Sequence, residues 1–141
     1  KNMKHINYFL GLTFLVLIGC SDADDSVQKT NLTATGNWSL VKVSGSIAGV
    51  NNTFIAGMIT WSFDELNHTI TIANNNPNDA LEDIFNSGVY NYTVAYNPSS
   101  GICTQNINID AADFGCFTET ENKIIISQSF VDGFDLELIK Q

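Results

Sequence analysis

Ile59-Thr60-Trp61-Ser62-Phe63-Asp64-Glu65-Leu66-Asn67-His68-Thr69-Ile70-Thr71-Ile72 carries the clearest structural pattern of the chain. Ile59, Trp61 and Phe63 alternate with Thr60 and Ser62; Ile70 and Ile72 alternate with Thr69 and Thr71. A side-chain period of two sends every large apolar group to one face of an extended chain. The turn-forming Glu65-Leu66-Asn67 separates the two runs, so the stretch reads as a pair of half-buried antiparallel strands. The same alternation continues outward. Tyr90, Tyr92, Val94 and Tyr96 share a face, as do Ile107 and Ile109, and Phe134, Leu136 and Leu138. Turn signals stand between them at Asn97-Pro98-Ser99-Ser100-Gly101, Asp110 to Asp113, Glu121-Asn122 and Asp132-Gly133. Their spacing, about 8 to 12 residues, points to an all-β sandwich or barrel. The longest interruption, Asn74 to Asn86, reads as a loop at a barrel mouth with one helical turn over 80–85.

The N-terminal region has a different character. Lys4 and His5 precede an apolar run from Tyr8 to Ile18, shorter than the roughly 20 residues a bilayer-spanning helix needs. Leu17-Ile18-Gly19-Cys20 closes it and resembles a bacterial lipobox, in which the cysteine is diacylated and becomes the mature N-terminus. The expected organisation is a signal peptide over 1–19, a lipidated Cys20 with a flexible tether over 20–35, and one domain over 36–141. This implies a bacterial cell-envelope location, anchored to the outer membrane through the lipid on Cys20, on its periplasmic or surface face.

The 141 residues carry a net charge of −9 and no arginine. Such a surface repels phosphate backbones, which argues against nucleic-acid binding. It also weakens electrostatic attachment to anionic lipid and leaves anchoring to the acyl chains. Cys103 and Cys116 remain once Cys20 is assigned to lipid. A hairpin turning at 110–113 would set Cys103 opposite Thr120, roughly 13 Å of strand from Cys116. A bond then needs a bulge or a loop excursion, and disulfide and paired buried thiols both stay open.

Four segments carry a resemblance to the lipocalin-like domains of Bacteroidetes lipoproteins. Gly36-Asn37-Trp38-Ser39-Leu40-Val41 is similar to the opening Gly-x-Trp strand, and Gly57-Met58-Ile59-Thr60-Trp61-Ser62-Phe63 to the strand that follows. Ser87-Gly88-Val89-Tyr90-Asn91-Tyr92 and Asp132-Gly133-Phe134-Asp135-Leu136-Glu137-Leu138 match the later strands. The resemblance implies a small up-and-down β-barrel of about eight short strands that works as a monomer without a cofactor. It also implies a small apolar or amphipathic ligand in or at the mouth of the barrel, facing Trp61, Phe63, Tyr90, Tyr92, Phe134 and Leu136. The alternative is a barrel filled by those same side chains, serving as an interaction or structural module for another envelope protein or a glycan. Larger lipocalins stack an arginine on the first-strand tryptophan; here Lys140 is the cation available for Trp38.

No enzyme is expected. His68 is the only histidine after Cys20, and its setting supplies no base or metal partners. No nucleophile elbow, phosphate loop or zinc-binding motif occurs. The loop acids Asp79, Glu82 and Asp83 lack the alternating order of a calcium loop, so no metal site is expected there. Asp110 and Asp113 are expected to cap their own turn.

Overall fold

The alternation of the sequence reappears as alternation of burial. A computed structural model describes residues 34–141; the lipobox, Cys20 and the tether up to residue 33 lie outside the described residues. The strands are β1 (Gly36–Gly45), β2 (Val50–Thr53), β3 (Ile59–Asp64), β4 (Thr69–Asn74), β5 (Gly88–Tyr96), β6 (Gln105–Ile109), β7 (Ala112–Glu119), β8 (Lys123–Ser127) and β9 (Phe134–Lys140). One 3-10 turn, Ser129–Val131, leads into β9. Every pairing is antiparallel, and β9 returns to β1 to close the sheet. The result is a closed eight-stranded antiparallel barrel of lipocalin-like topology.

Nine segments make eight staves because β2 and β3 share one edge of β1. Lys42 to Gly45 pair with Thr53 to Val50, whereas Gly36 to Ser39 pair with Phe63 to Thr60. Between these two pairings the chain makes an excursion over residues 54–58. Ser39 holds it. This residue is fully buried, and its Oγ accepts from the Gly57 N–H at 2.7 Å and donates to the Ile59 carbonyl at 3.4 Å. Ser39→Ala removes the acceptor of this part-buried N–H, so it should cost about 1 kcal/mol. For a domain of this size that is a melting-point drop of at least about 4 °C by calorimetry.

Side chains from every barrel stave fill the interior. Trp38, Leu40, Ile59, Trp61, Ile70, Ile72, Ile107, Ile109, Ile124, Ile126, Leu136 and Leu138 are essentially inaccessible to solvent. Trp38 and Trp61 face each other across the β1–β3 pair. Lys140 Nζ lies 5.5 Å from the centre of the Trp38 ring, the cation position expected from the sequence. The tyrosine face of β5 is only half as buried as its period suggests. Tyr92 is enclosed, but Tyr96, at the strand's far end, is 49% exposed.

The β6–β7 hairpin turns on Asp110 and Ala111, both at positive φ (46° and 66°), the backbone of a tight type I′ connection. Asp110 does not cap this turn as expected: its Oδ1 accepts from the Asn91 N–H of β5 at 2.8 Å. Asp113 does act locally, accepting from the Gly115 N–H at 2.7 Å. Gly115, at φ 82°, is the extra residue of a bulge that shifts the register between Asn108↔Asp113 and Asn106↔Cys116. A side chain there would run into the Ser127 carbonyl. The bulge and an excursion of loop 97–104 bring Cys103 to Cys116, and the two are disulfide-bonded with Cα atoms 5.7 Å apart. The loop is folded back by Asn97 N–H to Thr104 O (2.8 Å) and by Ser100 Oγ, which accepts from the N–H groups of Ile102 and Cys103.

Candidate ligand site at the barrel mouth

Chain alternation puts the β4–β5 loop, residues 75–87, at the end of the barrel shared with the β1–β2, β6–β7 and β8–β9 connections. The helical turn expected over 80–85 does not form. Ahead of it, asparagines bond the backbone two residues on and hold the chain in successive turns. Asn74 Oδ1 accepts from Asn76 N–H, Asn76 Oδ1 from Asn78 N–H, and Asn78 Oδ1 from Ala80 N–H, at 2.9 to 3.1 Å. The second half is latched by Asp83, whose Oδ2 accepts from Asn74 Nδ2 at 2.8 Å and Asn76 Nδ2 at 3.0 Å. Asn74 Nδ2 also donates to the Phe85 carbonyl at 2.9 Å, and Ser87 Oγ closes the loop onto the Asn74 backbone.

This loop encloses a polar cleft of about 360 Å³, lined by Asn74, Asn76, Asp79, Leu81, Asp83, Asn86 and Ser87. No cation lines it. The same loop contributes one ring to an aromatic cluster. The Phe85 ring reaches in from the loop to within 5.3 Å of Trp61 and 5.0 Å of both Tyr90 and Phe114, centre to centre. Trp61 continues to Phe63 at 6.2 Å, and Phe63 to Tyr92 at 5.4 Å in an edge-to-face contact. Leu81 both lines the cleft and packs on the core.

Of the six residues expected to face a ligand, the structure thus gathers Trp61, Phe63, Tyr90 and Tyr92 into one ring system. Trp61, Phe63, Tyr92 and Leu136 are buried, whereas Tyr90 and Phe134 are half-buried against the same core. Phe134 and Leu136 stand on β9, two staves from β3, and pair with Gly45 and Val43 of β1. The Tyr90 hydroxyl donates to the Asn86 carbonyl at 2.9 Å, tying β5 to the loop. Phe85 and Phe114 are absent from the expected set. The signal for Phe85 in the sequence is an apolar Ile84-Phe85 pair inside a run of Asn, Asp and Glu, which needs somewhere dry to go.

Two polar atoms of this interior lack a partner among the described residues: the indole N–H groups of Trp38 and Trp61. The Tyr92 phenol is held above its ordinary range, chiefly by burial and secondarily by the negative charges of Glu65, Asp64 and Glu119. The sign follows from linkage. Above about pH 10 the unfolded chain releases this proton while the folded one retains it, so stability is complete below that pH and falls as pH rises further. Tyr92→Phe should flatten that alkaline decline in urea midpoints measured between about pH 8 and 11; an unchanged slope would mean the phenol is not buried. His68 is exposed in the β3–β4 turn with φ 53°, where its carbonyl accepts from Tyr92 N–H at 2.9 Å and its ring is 6.2 Å from Tyr92.

A closed barrel of this kind is compatible with small-molecule binding in general. Neither a family model, a curated protein nor a solved structure matches the chain.

Proposed function

We propose that this chain is a lipid-anchored, non-catalytic lipocalin-like lipoprotein of the Bacteroidetes type that binds a small amphipathic molecule at the mouth of its barrel. The observation that carries the reading is the barrel mouth, where one loop both lines a polar cleft and, through Phe85, joins a cluster of aromatic rings, with Leu81 lining the cleft and packed on the core. Binding pockets are commonly apolar with a few placed polar groups, and this mouth has both kinds of group. Asp79 and Asp83, with no cation lining the cleft among the described residues, disfavour a carboxylate or phosphate there and favour a neutral or cationic polar group. The Cys103–Cys116 bond supports an oxidising compartment, in keeping with an envelope address for the Cys20 lipid.

Native mass spectrometry of residues 21–141, purified from a periplasm without detergent, tests the binding. A discrete small molecule that leaves on denaturation supports it. A clean apo mass favours a second reading, for which the packed interior speaks: a filled barrel whose loops contact an envelope protein or glycan. The address is tested separately. Cys20→Ser should accumulate as an uncleaved, unlabelled precursor when cells are fed a radioactive fatty acid; normal processing of that variant would refute the anchor.

A further inference from the structure

Phe85 is the one ring of the mouth cluster that no strand supplies. Trp61 comes from β3, Tyr90 from β5 and Phe114 from β7, and together they form a three-sided box that the loop ring occupies. The residue before it is under strain. Ile84 holds φ at 71°, a left-handed conformation that a β-branched side chain adopts only under constraint. The constraint comes from outside the barrel, in the paired bonds of Asn74 and Asn76 to Asp83 and of Asn74 to the Phe85 carbonyl. These bonds are partly exposed, where water replaces them at little cost. One wall of the box carries an unmet demand. Trp61 is fully buried, its indole N–H has no acceptor among the described residues, and the ring that abuts it, Phe85, offers none.

Building on the mouth-binding reading, we propose that Phe85 is a built-in plug. The ligand displaces it, stacking a compact planar ring in the Trp61–Tyr90–Phe114 box and presenting an oxygen acceptor to the Trp61 indole N–H. The ligand class is a neutral or cationic cyclic compound bearing a carbonyl or hydroxyl oxygen on its ring. Phe85 satisfies the shape of the box and not its hydrogen bond, so a ring with an acceptor outcompetes it. The Asp83 latch sets how often the box is free, because apparent affinity scales with the fraction of open protein.

The chain has two tryptophans, so ¹⁵N-tryptophan labelling gives two indole signals, one for the box and one internal control. The experiment titrates the complete mature chain, unlipidated and oxidised, with 1-indanone and with indane, its hydrocarbon counterpart. Indanone should move the Trp61 indole N–H signal and the Phe85 ring signals to saturation while Trp38 stays in place. Indane should bind at least about tenfold more weakly, the discrimination expected of a site that hydrogen-bonds its ligand. Asp83→Ala, or Asn76→Ala as the milder release, should tighten indanone about 5- to 20-fold by raising the open fraction. Equal affinity for the two probes would overturn the acceptor role of the ligand. An unmoved Trp61 in the natural protein and both latch variants, with binding only in Phe85→Ala, would make Phe85 an ordinary core residue. A probe that shifts other mouth residues but neither Trp61 nor Phe85 would defeat the plug and leave the mouth-binding reading standing.

Discussion

Trp38→Ala lowers the stability of the barrel by about 3–5 kcal/mol, the range for truncating a large buried aromatic. The ring is fully buried and stands in register between Trp61 on β3 and Lys140 on β9, so its loss opens a hole where the closing strand meets the opening one. Domains of this size are stable by only about 5–15 kcal/mol, and the variant should melt at least about 12 °C lower or fail to accumulate. Two milder changes separate the contributions. Lys140→Met removes the charge 5.5 Å from the ring and should cost about 0.5–1 kcal/mol. Trp38→Phe loses volume but also removes an indole N–H with no acceptor among the described residues, so its cost should fall well short of the alanine variant's. Urea unfolding with tryptophan fluorescence reads all three, since Trp61 remains as the reporter. An unchanged midpoint for Trp38→Ala would place the ring outside the core and undo the Gly-x-Trp strand.

How far the sequence could be read depends on how locally each decision is made. The run from Ile59 to Ile72 declares its own fold because period two and one buried face leave a single consistent register, in which Trp61 pairs with Ile72. β2 has no such voice. Val50-Asn51-Asn52-Thr53 contains one large apolar group, and it is a strand because β1 extends past the end of β3 and needs a partner. The inward face of β5 was legible as far as Tyr92. Tyr96 obeys the same period yet stands half exposed, because alternation tells which face a side chain is on and not whether the barrel continues there. The mouth was the least legible part. Trp61 and Tyr90 announce themselves on strands, but the partner that joins them is Phe85, in a loop that is otherwise mostly polar. Its destination is set by rings that come from three separate strands, information that no window around residue 85 contains.

Removing the Cys103–Cys116 bond should cost about 3 kcal/mol, the second-largest effect expected here. The bond spans a sequence separation of 13, and on the chain-entropy model a loop of that order constrains the unfolded chain by about that much. The Cys103→Ala/Cys116→Ala double variant avoids a stray thiol and should show a lower urea midpoint together with a steeper m-value, because the released chain unfolds to a more exposed ensemble. The native state should change little. Asn97 N–H still bonds the Thr104 carbonyl, and Ser100 Oγ still accepts from Ile102 and Cys103, so loop 97–104 keeps its own folding instructions. Gly115 makes the complementary test. Alanine at φ 82° would also press on the Ser127 carbonyl, so Gly115→Ala should flatten the bulge and draw Cys116 out of reach of Cys103. That single change should cost nearly as much in the oxidised protein as the double variant does, and clearly less once both proteins are reduced. If the two proved additive under oxidising conditions, the bulge and the bond would be independent, and the register shift at Cys116 would not be what brings the cysteines together.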